Sequence, residues 1–407
     1  MILLVYGLLI LTDLLIIKDF RTFSLYSKYK PREKKPGIWW KVYLIFAIAI
    51  LAALTVAICL PRRNENMGIS ATMWLLYVVI TVEVAQIIYS VFSLLGFVPR
   101  IFKKPRWNTG LWVGLPLGVL FFSMMWWGVL VGRYRIQINE VSVMSDKLPE
   151  SFNGYRIAQI SDLHLGTWGN DTTFVSKLVD SVNSLQPDLI LFTGDIVSRT
   201  SGELSPFINV LSRLHARDGV FSVLGNHDYG DYVSWRSAKA KKDNLDLLKE
   251  YQKEMGWRLL NNANETIRSS EGDSIILIGV ENWGEPPFST YGNLSKAYPE
   301  KLLKDNNFKI LMSHNPEHWN REVSHISNID LTLAGHTHAM QIMFELGKWK
   351  WSPSKYIYQQ WGGLYNRENE DGEQSWIYVN IGAGEVGIPM RIGAPAEITL
   401  LTLRSRK

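Results

Sequence analysis

The 407 residues contain one cysteine, Cys59, so the chain can form neither an intramolecular disulfide nor a thiolate zinc site. Histidine is scarce, eight in all, which makes its placement informative. Internal repeats and low-complexity tracts are absent, and the longest polar stretch, residues 366–374, reads as a surface loop. With 47% hydrophobic and only 20% charged residues, a disordered chain is excluded. A net positive balance is missing from the later part: residues through Gln137 hold sixteen Lys and Arg against five acids, net +11, and the remainder is net −6. An acidic C-terminal part argues against nucleic acid as a partner, because such binding relies on Lys and Arg meeting phosphates.

The early sequence is dominated by apolar runs. Spanning a ~30 Å hydrocarbon core takes about 20 residues, and residues 2–17, 42–60, 73–98 and 111–131 approach that length. The first run has no basic segment ahead of it and no small-residue cleavage site, so it reads as a retained helix rather than a signal peptide. Lys18, Arg21, Lys28, Lys30, Arg32, Lys34 and Lys35 follow run one, and Arg100, Lys103, Lys104 and Arg106 follow run three; the opposite links hold only Arg62, Arg63, Arg133 and Arg135. Basic loops stay inside, which predicts both termini outside and a C-terminal domain beyond the cytoplasmic membrane of a bacterium. Asp13 and Glu83 are ionisable groups within the runs. Asp13 is expected near an interface and Glu83 against a Ser or Thr inside a four-helix bundle, the sharper alternative being a proton or ligand site.

From residue 155 short β-rich runs alternate with helical segments, an α/β signature. The expected organisation is therefore a transmembrane domain over 1–135 and an α/β domain over 136–407. Strands are predicted at 155–160, 188–192, 220–224, 274–280, 309–312, 331–333, 376–379 and 397–403, with helices at 172–185, 204–214 and 243–255.

Five of these strands end in Asp, Asn or His: Asp162-Leu163-His164, Gly194-Asp195, Gly225-Asn226-His227-Asp228, Ser313-His314 and Gly335-His336-Thr337-His338. Alternate residues of an extended chain share a face, so Asp162 and His164 can address one site. Glycine lets the backbone turn and approach a ligand closely. Imidazole with carboxylate and amide oxygen suits Zn, Mn or Fe. Seven candidate ligands exceed what one ion accepts, and two ions sharing a carboxylate form the arrangement that clamps both oxygens of a displacement at phosphorus. His215, His318 and His325 fall outside the motifs and read as structural or exposed.

The ordered motifs D-x-H, G-D, G-N-H-D, S-H and G-H-T-H resemble the calcineurin-like metallophosphoesterase superfamily over about 150–403. The text from Gln159 to Gly166 and from Arg391 to Thr399 is similar to its membrane-anchored bacterial YkuE-like branch. The resemblance implies a fold of two mixed β-sheets between helices and two divalent metal ions (Mn, Zn or Fe). One ion would take Asp162, His164 and His338, the other Asn226, His314 and His336, with Asp195 between them. It also implies attack by a metal-bridging hydroxide, His227 as general acid and Asp228 orienting it. Where relatives in this branch have Gly-Gly-Gln after the last motif, this chain has Ala339-Met340-Gln341.

Residues 344–365 interleave Trp349, Trp351, Tyr356, Tyr358, Trp361 and Tyr365 with Lys348, Lys350 and Lys355. That mixture fits either a membrane-interface lip or a hairpin across a sheet edge. The expected function is a membrane-anchored hydrolase of a phosphate ester, with a phospholipid or lipid-linked phosphate favoured as substrate because tethering raises the effective concentration of membrane substrates. The competing readings are a nucleotide phosphodiesterase or nuclease, a non-catalytic metal-binding receptor, and a transport-linked role for the bundle.

Overall fold

A computed structural model describes residues 2–23, 38–60, 63–66, 68–286, 289–326, 328–347, 349–368 and 374–406. Lys28, Lys30, Arg32, Lys34, Lys35, Arg62 and Lys348 therefore lie outside the described residues, as do 369–373 of the polar loop. The chain forms two compact units, one of Met1–Pro61 with Ala71–Gly128, the other of Arg62–Ser70 with Val129–Lys407.

The first unit is helical: α1 (Ile2–Phe23), α2 (Trp39–Cys59), α3 (Ile69–Leu95) and α4 (Leu115–Leu130), the last entered through a π-helical turn at Gly110–Gly114. Apolar residues surround these helices on every side, as hydrocarbon contact requires. Trp39–Cys59, Ile69–Ile101 and Gly110–Tyr134 are long and apolar enough to cross a membrane. α1 runs six residues past the predicted 17 because its polar end finds partners. Asp19 accepts both terminal nitrogens of Arg106 (2.6 and 2.9 Å), the Ser93 hydroxyl (2.5 Å) and the Tyr89 hydroxyl (3.0 Å). Asp13 is buried rather than interfacial, with the Tyr43 hydroxyl donating to it at 2.6 Å. Glu83 is buried too, and its Oε2 has no hydrogen-bond partner among the described residues, so the expected Ser or Thr partner for that oxygen is not found.

The second unit holds two six-stranded sheets. The first has the order β1 (Ile136–Ser145), β14 (Ala396–Ser405), β2 (Arg156–Ile160), β3 (Leu189–Phe192), β4 (Val220–Ser222), β5 (Arg258–Leu259). The second runs β12 (Gly363–Glu368), β13 (Gln374–Val379), β9 (Leu331–Ala334), β8 (Lys309–Met312), β7 (Ser274–Gly279), β6 (Ala263–Arg268). β2 to β5 are parallel, as are β13, β9, β8 and β7, while β6 and β12 pair antiparallel at the edges. The period of two divides the side chains. Leu189 and Leu191 meet Ile310, Leu331 and Leu277 between the sheets, while Ile190 and Phe192 meet Leu178 and Val182 of α5 (Thr173–Ser184) and Leu248 of α6 (Ala238–Glu254). Parallel strands covered on both faces read as continuous apolar runs, which is why the sequence announces them.

The strands that sequence reading passes over are the edges. β1 (IQINEVSVMS), β6 (ANETIR) and β12 (GLYNRE) carry polar residues on an open face. The predicted 204–214 helix is broken into a 3-10 turn at Ser205–Phe207, with Pro206 near its start, and a single α turn at Ile208–Leu211. α6 begins earlier than the predicted 243 because the Ser237 hydroxyl caps it, accepting from the Ala240 N–H at 3.0 Å.

Candidate metal centre

The site forms where β2, β3, β4, β8 and β9 run out. The chain does not stay extended there. Asp162 (φ 55°), His164 (φ 42°), Asp195 (φ 57°), His336 (φ 75°) and His338 (φ 52°) are left-handed, five of the eleven such non-glycine residues described. Asp162 and His164 thus converge through two left-handed kinks rather than through strand alternation. Left-handed backbone costs an ordinary residue ~1–3 kcal/mol and persists where the surroundings over-determine it. Hydrogen bonds hold the kinks: Asp162 and His164 N–H donate to the carbonyls of Gly194 and Asp195 (2.9 and 3.2 Å). At Gly225 and Gly335 a β-carbon would collide with the carboxylates of Asp195 and Asp162 respectively, so both strand ends need glycine for close approach.

The seven predicted ligands come together. Asp162, His164 and His338 form one group whose ligand atoms lie within 4.8 Å of one another, and Asp195, His314 and His336 form another. In the first, His338 Nε2 is 3.0 Å from His164 Nε2 and 3.2 Å from Asp162 Oδ1. In the second, His314 Nε2 is 3.2 Å from both Asp195 Oδ2 and His336 Nδ1. Asn226 joins this second group with its Oδ1 3.1 Å from His314 Nε2, its amide being oriented by donation to the Tyr232 hydroxyl (2.8 Å). Asp195 Oδ2 lies between the groups, 3.6 Å from His164 Nε2 on the other side.

These side chains are almost all fully buried. Burial disfavours charge on the Asp162 and Asp195 carboxyls, yet the surrounding imidazoles outweigh it and hold both below the usual carboxylate range. Burial and the charge of His314 push His336 down to about 3. Nδ1 of His314 donates to the Thr193 carbonyl at 2.8 Å, which leaves Nε2 toward the cluster as the atom whose lone pair a cation would take in place of a proton. His164 Nδ1 has no partner among the described residues. Packed nitrogen lone pairs beside ionised carboxylates repel one another unless cations lie among them, and this donor set fits divalent ions of borderline hardness.

His227 is half-buried, its ring 4.7 Å from that of His164 and 4.5 Å from that of Tyr232. Nδ1 lies 2.7 Å from the Ser198 carbonyl, which leaves Nε2 toward the ligands; His164, Asp195 and His227 indeed form a third close group. The expectation that Asp228 orients His227 is corrected here, since Ser198 does so. Asp228 instead accepts the backbone N–H groups of Asp195 (2.9 Å), Ile196 (3.0 Å), Val197 (3.2 Å) and Gly225 (2.9 Å), fixing the loop that presents Asp195. Burial and the charge of Asp195 push its carboxyl up to about 7.

Sequence reasoning assigned no site role to several supports. The Tyr358 hydroxyl is 3.1 Å from His336 Nε2, and the fully buried Arg391 donates to the Gly384 and Ala394 carbonyls with a terminal nitrogen 3.5 Å from His338 Nδ1. Both lie in stretches that the sequence had marked for other reasons. His318 Nε2 donates to the Glu322 carboxylate (3.2 Å) and its Nδ1 faces the Ser313 hydroxyl (2.8 Å), a structural histidine as expected.

Residues 155–340 match the family profile described as calcineurin-like phosphoesterase, and residues 1–133 match one described as probable calcineurin-like phosphoesterase, transmembrane domain. The uncharacterized metallophosphoesterase YkuE of Bacillus subtilis is 29% identical over 276 residues, 67% of this chain and 87% of that protein. An uncharacterized metallophosphoesterase of Helicobacter pylori J99 is 30% identical over 72% of this chain and 70% of its own length. UDP-2,3-diacylglucosamine pyrophosphatase LpxG of Chlamydia trachomatis is 28% identical over 64% of this chain and 86% of its length. The match spans only about 60% of longer vertebrate relatives described as transmembrane proteins with a metallophosphoesterase domain. Fold, ligand types and both profiles agree: the chain belongs to the calcineurin-like metallophosphoesterase family, in its membrane-anchored YkuE-like branch.

Proposed function

We propose that this membrane protein hydrolyses a lipid-linked or otherwise membrane-proximal phosphate ester at a centre of two divalent ions, with residues 1–135 as anchor and 136–407 as hydrolase. The observation that carries this reading is the pair of ligand groups meeting at Asp195. Asp162, His164 and His338 would hold one ion and Asn226, His314 and His336 the other, with Asp195 placed to serve both. Bound ions supply Lewis-acid charge to the phosphoryl oxygens and ionised water near neutral pH. The chain does the rest. Ser198 fixes the ring of His227 through Nδ1, so a protonated His227 presents Nε2–H to the leaving-group oxygen. Asp228 keeps Asp195 at the meeting point by tying down four backbone amides.

The substrate class rests on context. A relative is named for action on UDP-2,3-diacylglucosamine, an acylated molecule with a phosphate linkage, and this chain carries its own hydrophobic helices. An extracytoplasmic hydrolase agrees with the placement of residues 63–66, between α2 and α3, in the same unit as the site. There the Ser234 N–H donates to Arg63 O (2.6 Å) and Arg199 donates to Asn64 O (2.8 Å). Links on that side carry few basic residues, as the outer face requires.

The test compares metal content and hydrolysis of bis-p-nitrophenyl phosphate and p-nitrophenyl phosphate between the wild type and Asp195→Asn. Roughly two ions per chain with ester hydrolysis, both diminished in the variant, are expected. Absence of metal under replete conditions defeats the reading.

A further inference from the structure

Beyond Tyr134, solvent-exposed large apolar side chains are few among the described residues, and most of them crowd into one segment: Met340, Phe344, Leu346, Trp349, Tyr356 and Ile357. Leu346 is 80% exposed and Tyr356 74%, values at which an ordinary soluble surface carries a polar residue. The segment is built around a hairpin of β10 (Phe344–Leu346) and β11 (Trp349–Trp351), which pair with each other and join neither large sheet. The expectation of a hairpin packed across a sheet edge is thus replaced by a projecting one.

A free two-stranded hairpin is marginal in water. This one is pinned at its root. The Met343 N–H donates to Ile392 O (2.9 Å), and the buried Ser352 and Ser354 hydroxyls donate to the carbonyls of Ala339 (2.6 Å) and Thr337 (3.3 Å). Those carbonyls belong to the turn that carries His336 and His338, and Tyr358 reaches His336 directly. The hairpin is therefore a rigid outgrowth of the metal site's rim. Its aromatic rings stay in mutual contact, Phe344 with Trp351 at 5.8 Å and Trp351 with Tyr356 at 6.4 Å, so the apolar face is ordered as it projects. Lys350, beside Glu345 at 3.2 Å, and Lys355, over the Tyr356 ring at 5.3 Å, flank it. Aromatic bodies with lysine stems is the composition that settles at the boundary of acyl chains and phosphate headgroups.

We propose that this hairpin, with Tyr356 and Ile357, inserts into the headgroup region of the bilayer and forms the lip over which an amphiphilic phosphate ester passes from the leaflet to the His336 side of the site. Insertion stands on the hairpin's own composition and exposure; the passage of substrate rests on the hydrolase reading above. A membrane is the occupant favoured because the chain is bilayer-anchored and the charges along the segment are net cationic, Lys348, Lys350 and Lys355 outnumbering Glu345, which matches lipid phosphates.

The single cysteine makes the test clean. In a Cys59→Ser background, Leu346→Cys carries a polarity-sensitive fluorophore, and Glu271→Cys in the exposed turn before β7 serves as the reference, both in full-length protein in nanodiscs. The expected result is blue-shifted emission at 346, quenched by lipids with nitroxides high on the acyl chain, and water-like emission at 271. Water-like emission at both positions overturns insertion. Apolar emission at 346 without lipid quenching also overturns it, since a second copy of the chain then covers the hairpin. For the lip, Leu346→Ser with Trp349→Ser is expected to keep its metal and its hydrolysis of bis-p-nitrophenyl phosphate while losing about ten-fold or more on a two-chain lipid phosphodiester in the nanodisc. Equal retention on both esters overturns the lip. If unmodified protein hydrolyses neither, the hydrolase reading fails, and the fluorescence still decides insertion.

Discussion

Ala339 and Met340 follow His338 in left-handed backbone, at φ 48° and 46°. A turn of this geometry favours glycine, as the resemblance to Gly-Gly-Gln in the branch implies, and this chain tolerates strain instead. Met340 is partly exposed and loses little packing on truncation. Met340→Gly is therefore expected to raise stability by about 0.5–1 kcal/mol, relief of the left-handed cost outweighing glycine's added chain entropy. A higher thermal midpoint for the variant checks this, and a lower one shows that the side chain is held by packing. The converse change, Gly225→Ala, drives a methyl into the Asp195 carboxylate. Loss of bound metal and of hydrolysis together is the expected outcome, read by metal analysis on folded protein. At this scale the clustering of candidate ligands was legible, because Asp, Asn and His recurring at five strand ends are hard to explain by folding needs alone. The left-handed geometry was not, since nothing but glycine advertises positive φ in a sequence. Asp228 was misread for a related reason: adjacency to His227 suggested a pair, whereas the carboxylate turns back to backbone amides.

Among elements, the loop from Ser198 to Glu203 joins the site to the body of the domain. Glu203 is largely buried and accepts the N–H groups of Ser198 (2.6 Å) and Arg199 (3.2 Å). Burial pushes its carboxyl up to about 7 from an ordinary 4.5. The folded state thus binds this proton more tightly than the unfolded chain. The associated stability is complete below about pH 4.5 and is lost as pH rises through 7, up to about 3 kcal/mol in all. Glu203→Gln is expected to flatten the fall in thermal midpoint across that window, and an unchanged profile would assign the fall to other groups. Strands leading to the site were readable because burial on both faces makes them uniformly apolar, as in Leu189–Phe192. β1, β6 and β12 escaped because an edge strand pairs on one side and leaves polar residues showing. The 204–214 segment has helical spacing, yet Pro206 lacks the N–H that a longer helix needs there.

For the whole molecule, the candidate metal centre would also be a tie between the sheets, since its candidate ligands follow β2, β3 and β4 of one and β8 and β9 of the other. Removing cations leaves Asp162 and Asp195 buried among imidazoles with their repulsion unrelieved. Chelation is expected to lower the thermal midpoint of the hydrolase unit, and re-addition of Mn or Zn to restore it, by ~4 kcal/mol when the ion is present at a thousand times its dissociation constant. A midpoint unmoved by verified metal loss contradicts this. The division into a basic apolar part and an acidic α/β part was plain from charge alone, because bilayers and water select opposite compositions. The ten-residue parallel pairing of β1 with β14 was invisible, being a contact between distant segments: Ile136 lies against Ala396. That pairing has a consequence for synthesis. β1 is the first strand made after the hydrophobic helices, and its neighbour arrives about 260 residues later, so at ~5–20 residues per second it stays unpaired for tens of seconds. A nascent chain of this protein therefore carries an unpaired strand until its translation is nearly complete, and the polar residues along it, Gln137, Glu140 and Ser142 among the exposed ones, keep that strand from sticking to its neighbours on the ribosome.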